Sequence, residues 1–73
     1  MRKINVEKYV GTDKLILLEL KNGLSIKGQI ISYCEEDNTI EFETLKKTSY
    51  INLEFVLLIE IIANNFVPRK RGN

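Results

Sequence analysis

Leu24-Ser25-Ile26-Lys27-Gly28-Gln29-Ile30-Ile31-Ser32-Tyr33-Cys34 is the stretch on which the fold turns. Simple alternation sets Leu24, Ile26, Ile30 and Ser32 on one side and Lys27, Gln29, Ile31 and Tyr33 on the other, the period of a β-strand. Gly28 interrupts the middle of this long segment. A glycine inside a strand marks a sharp bend, a bulge or the close approach of another backbone. The strand predicted over 24–34 therefore turns a barrel corner at Gly28.

Upstream, Lys14 to Lys21 puts Ile16, Leu18 and Leu20 on one face and then meets Asn22-Gly23, a strong hairpin signal. Before it, Ile4, Val6, Tyr9 and Val10 have a rough helical spacing, and Gly11 follows where a helix would stop. A short helix or turn is expected over Lys3–Val10. Downstream, Glu35-Glu36-Asp37-Asn38 is a polar break, after which Thr39-Ile40-Glu41-Phe42-Glu43 alternates with its acids outward and Ile40 and Phe42 inward. Lys46-Lys47 makes a turn before a fourth strand over Thr48–Glu54. Val56 to Ile62 is β-branched and leucine-rich enough to be a final strand apolar on both faces. In so small a domain one of those faces lacks an internal partner, and an edge strand of this kind is a template for another chain. The domain is expected to span 1–65 and a basic, flexible tail 66–73.

Seventy-three residues make one domain with little room for a core of its own. Hydrophobic residues are 44% of the chain and charged ones 29%, the composition of a folding globular chain. Ten acids against eleven bases leave a net charge of +1, so any basic surface must be local. There is no histidine, and Cys34 is the single cysteine. That removes the usual general base, excludes an internal disulfide and a cysteine-rich zinc site, and argues against an enzyme. No cofactor is implied. The apolar runs fall well short of the ~20 residues of a membrane-spanning helix, and the start of the chain does not read as a signal peptide. A cytoplasmic or nuclear setting, without a membrane, is expected.

With Leu20-Lys21-Asn22-Gly23, then Gly28, Ile30, Tyr33 and Asn38, the chain resembles the first motif of the Sm and Sm-like proteins, a family that includes the bacterial Hfq branch. Val6 to Gly11 is similar to the end of that family's N-terminal helix. Ile51, Val56 and Ile59 fall at the spacing of the apolar residues in its second motif, so the resemblance runs from about residue 4 to residue 62. It implies a mainly β fold: a short N-terminal helix, then a strongly bent, five-stranded antiparallel small barrel of the Sm-like, SH3-like barrel class. It also implies that the fourth strand pairs with the fifth of a neighbour, giving rings of about five to eight copies or paralogues. Single-stranded RNA would be held where the loops after the second and fourth strands line the pore.

The chain departs from the family at that pore. Cys34 stands where an aspartate usually orients the base-contacting asparagine. Glu36 takes the place of a stacking side chain, a contact worth ~1–3 kcal/mol per base. Asn52 and Leu53 replace a basic residue and glycine, or the lysine and histidine of the bacterial branch. Of that constellation Asn38 remains, beside Glu35, Glu36 and Asp37. The candidate RNA-binding residues are thus Asn38, Asn52 and the tail cations Arg69, Lys70 and Arg71, which would add sequence-blind, salt-dependent phosphate contacts. Each has a blander reading: Asn38 as a turn residue, Asn52 as a solvent-facing strand residue, the tail as a solubilising end. The expected function is a ring-forming, Sm-like protein that binds single-stranded RNA weakly or by a non-standard surface. The alternatives are an Sm-like interaction scaffold without RNA binding and an unrelated small adaptor barrel.

Overall fold

A computed structural model describes residues 6–65. Five strands follow a 3-10 turn at Glu7–Tyr9: β1 Leu15–Leu20, β2 Ser25–Cys34, β3 Thr39–Glu43, β4 Thr48–Asn52 and β5 Val56–Ala63. All neighbours in the sheet are antiparallel, and the order is β4-β3-β2-β1-β5. The chain is mainly β, as expected. The sheet does not close, however: β4 and β5 lie at opposite ends of the order and do not pair with each other.

β2 carries the bend. Its first half pairs with β1, from Glu19 opposite Ser25 to Ile16 opposite Gly28. From Gln29 onward it pairs with β3 instead, Gln29 opposite Glu43 and Ile30 opposite Phe42. The strand changes partners between Gly28 and Gln29, and the crossing brings the β3 backbone against Gly28. A Cβ built there would overlap the carbonyl oxygen of Glu43 and lie 2.9 Å from its carbon and 3.0 Å from Phe42 Cε2. Glycine is required for space rather than for a special dihedral.

A bulge at Ile31 then corrects the simple alternation. Ile30 faces Phe42, but the next register pair is Ser32 with Glu41, so Ile31 is the extra residue. The phase of the strand reverses there. Ser32 therefore sits outward with its hydroxyl on Glu41 Oε1 at 2.9 Å, and Tyr33, opposite Ile40, turns toward the core. Alternation predicted the opposite for both residues, because period-two counting fails past an inserted residue.

The core is built from Val6, Ile16, Leu18, Ile30, Ile40, Phe42, Leu53 and Val56. Phe42, Ile16, Leu18 and Ile40 are completely buried. The segment ahead of β1 roofs this core: Val6 is buried, the Gly11 amide donates to the Ile30 carbonyl at 3.1 Å, and Gln29 Nε2 donates to the Thr12 carbonyl at 3.1 Å. Those bonds satisfy polar groups of β2 near its change of partner, where burial would otherwise penalise them. The short helix or turn expected over Lys3–Val10 is, among the described residues, a single 3-10 turn at Glu7–Tyr9.

Two further junctions differ in detail from the sequence expectation. Leu20 and Leu24 close the β1–β2 hairpin through Leu20 N–H to Leu24 O at 2.8 Å, leaving the three residues Lys21-Asn22-Gly23 in the loop. Gly23 takes the left-handed φ of +93° that such a loop needs at its last position, and Asn22 Oδ1 accepts from the Leu24 amide at 3.0 Å. The fourth strand ends at Asn52 rather than running to Glu54, because the Asn52 side chain accepts from the Glu54 amide and caps a 3-10 turn at Leu53–Phe55. That turn buries Leu53 and carries the chain directly from β4 to β5.

β5 is apolar on both faces. Ile59 and Ile61 lie opposite Leu18 and Ile16 on the core side, while Leu58 and Glu60 lie opposite Glu19 and Leu17 on the outer side. Leu57, Leu58, Ile61 and Ile62 are 59%, 45%, 40% and 40% exposed. Register shifts near Leu57 and Ile62 bracket the regular stretch. Among the described residues no helix is long and apolar enough to cross a membrane.

Candidate functional site

Two chain segments distant in sequence meet at one corner of the sheet: the loop between β2 and β3, residues 35–38, and the β4–β5 junction. Thr39 pairs with Asn52 in the ladder, and the Leu53 amide donates to the Asn38 carbonyl at 2.8 Å. Asn52 Nδ2 donates to the Asp37 carbonyl at 3.3 Å, an oxygen that also accepts from Thr39 Oγ1 at 2.9 Å. The structure thus brings together Asn38 and Asn52, the two candidate residues within the described part. Arg69, Lys70 and Arg71 lie outside it.

Asn38 adopts φ +54°, the left-handed region that asparagine tolerates better than other side chains bearing a Cβ. Its amide donates to the Glu35 carbonyl at 3.2 Å, closing the turn. Tyr33 Oη donates to its Oδ1 across a long 3.4 Å, so the carboxamide is oriented by tyrosine. That orientation leaves the Asn38 NH₂ group without a partner among the described residues. Asn52 is more heavily committed, its oxygen to the Glu54 amide at 2.8 Å and its nitrogen to Asp37. It is a cap and a clip rather than the solvent-facing strand residue of the simpler sequence reading.

The remaining side chains at this corner are acidic. Glu35, Glu36 and Asp37 are exposed, and Asp37 Oδ2 accepts from the exposed Cys34 thiol at 3.6 Å. Among the described residues no group of three or more acids, cysteines or histidines converges as a metal site would. What the corner offers a ligand is the amide N–H donors of Asn38 and one of Asn52, in a negative surround.

A position-specific test separates the two roles of Asn38. Asn38→Gly is expected to fold normally, since glycine takes positive φ freely. Asn38→Val is expected to lose about 1–3 kcal/mol in urea unfolding, because a β-branched residue is strained there. Any ligand contact made by the carboxamide would be lost in both.

The aromatic residues divide in a way the sequence does not announce. Tyr9 and Tyr33 pack against the core, whereas Tyr50 on the outer face of β4 is 72% exposed and Phe55 on the second 3-10 turn is 63% exposed. Phe55 was not among the candidates read from the sequence. Its signal was the capping pattern that begins at Asn52, where an Asx side chain starts a turn that a strand reading overlooks. Together with β5, these residues place most of the exposed apolar surface along or beside the two sheet edges. No protein-family model matches the chain, and no curated protein or solved structure matches it.

Proposed function

We propose that this chain is an Sm-like subunit that joins copies of itself, or close paralogues, edge to edge into a closed ring, and that the ring binds single-stranded RNA weakly or by a surface other than the usual pore. One observation carries the reading: the antiparallel sheet has an open edge strand at each end of its order, and β5 is apolar on both faces. Two different edges joining head to tail make a heterologous contact, which closes into a ring when the rotation permits. Unpaired N–H and C=O groups on both edges supply the hydrogen bonds, and the side chains of Leu57, Leu58, Ile61 and Ile62 supply the apolar area. A 73-residue domain with a small core gains stability from that burial.

The meeting of the residue 35–38 loop with the β4–β5 junction supports the Sm-like part of the reading, since the family resemblance implies a base site between those two loops. The chemistry there supports only a weak site. Asn38 keeps N–H donors to offer a base carbonyl, Asn52 is largely committed within the chain, and three neighbouring acids repel phosphate. Arg69, Lys70 and Arg71 then become the main phosphate-binding candidates. A second reading, a scaffold without RNA binding, is favoured by that same committed Asn52 and acidic loop.

Fluorescence anisotropy with labelled oligo-U, oligo-A and mixed single strands distinguishes the two. Binding that weakens steeply with salt, and loses about two units of its log–log salt slope on truncation after Val67, is expected if the three tail cations carry the contacts. No binding at low ionic strength would eliminate the RNA part and leave the scaffold.

A further inference from the structure

We infer that Glu60 on one copy and Lys46 and Lys47 on the next form ion pairs that fix the register of the antiparallel edge-to-edge contact. This rests on the ring reading above. Glu60 is the one charged side chain in β5. It is exposed on the outer face, opposite Leu17, and Glu19 on β1 is its diagonal neighbour on that face. Both acids lie on the outer face near this edge, with Lys27 in the same row beyond Leu17, and within the described residues Glu60 forms no ion pair.

The other edge is uncharged along its length but not at its ends. β4 reads Thr48-Ser49-Tyr50-Ile51-Asn52, with Lys46 and Lys47 before it and Glu54 after it. Neither lysine side chain has an acidic partner within the described residues. The β3–β4 turn holds their backbone in place, Thr44 Oγ1 accepting from the Lys46 and Lys47 amides at 3.2 Å each. The two cations therefore project from a defined turn.

Apolar matching selects the position along the edges, and the lysines beside Glu60 hold it. Tyr50, opposite Glu41, is the large exposed apolar side chain on the outer face of β4, and Leu58 is its counterpart on β5. Placing Tyr50 of one copy beside Leu58 of the next covers both. If the strands then run antiparallel, Thr48 falls opposite Glu60 and Lys47 and Lys46 continue past it. If they run parallel, Asn52 falls opposite Glu60 and Glu54 follows, setting acid near acid. Opposite charges on facing strands attract, so the two lysines hold the antiparallel contact in this register at Glu60.

Sedimentation velocity over a concentration series, at low and high ionic strength, tests this with the full chain. Glu60→Lys is expected to raise the half-assembly concentration about tenfold at low salt, an effect that shrinks at high salt, and to leave the far-UV circular dichroism unchanged. Adding Lys46→Glu and Lys47→Glu to Glu60→Lys is expected to restore assembly. Wild-type assembly that Glu60→Lys does not alter, or a triple variant that fails to recover, overturns the inference while leaving the ring intact. A wild type that never assembles overturns the ring reading itself.

Discussion

Gly28→Ala is expected to cost about 3 kcal/mol or more in urea unfolding, a large share of the roughly 4 to 11 kcal/mol typical of a domain of 73 residues. The reason is positional. β2 leaves β1 for β3 at this residue, and the new Cβ would meet the Glu43 carbonyl and the Phe42 ring at once. A flexible side chain could rotate away, but the Glu43 carbonyl belongs to the paired strand and can move only if the ladder opens. Trimming the aromatic partner is therefore not expected to rescue the variant: Gly28→Ala with Phe42→Leu remains less stable than Phe42→Leu alone. Rescue would mean that the ring, not the backbone, sets the requirement for glycine.

Phe42→Ala is expected to lose about 3–5 kcal/mol, seen as a lower urea midpoint with similar cooperativity. Phe42 is the largest completely buried side chain and sits on the short interior strand β3, where the bent half of β2 lies on one side and β4 on the other. Its removal leaves a void that the neighbouring Ile30 and Ile40 fill only by distorting two ladders. Phe42→Leu, which retains much of the volume, is expected to cost clearly less. A near-neutral Phe42→Ala would show that the core is far looser than this packing describes.

Much of the architecture was legible because it follows from single residues acting locally. Ile40 and Phe42 alternate with Glu41 and Glu43 over residues 39–43, and β3 spans those residues. Gly28 announced a bend and marks the point where β2 changes partner. The apolar run from Val56, broken only by Glu60, announced an edge in need of cover, and Leu57, Leu58, Ile61 and Ile62 are exposed. What the sequence hid is what depends on pairing across strands. The bulge at Ile31 leaves no compositional mark, yet it exchanges the faces of Ser32 and Tyr33. Sheet closure depends on twist accumulated over all five strands, and no residue pattern states whether the last edge reaches the first.

At the candidate site the residue types were visible and their commitments were not. Asn38 reads as a turn residue first and a base contact second until its positive φ and its bond from Tyr33 are seen. Asn52 looks like an exposed strand position, but it holds the Asp37 carbonyl and caps the turn into β5. Both facts arise from contacts 15 residues apart or from local backbone geometry, which spacing alone does not encode. The same geometry explains why this corner supports structure more clearly than recognition.

Assembly through the two sheet edges is the central claim, and native mass spectrometry of the full chain at micromolar concentration addresses it most directly. One closed oligomer of defined copy number, with mixed-isotope subunits exchanging into the same stoichiometry, is the result expected. A strict monomer, or an open ladder of ever-larger species, would contradict edge-to-edge closure.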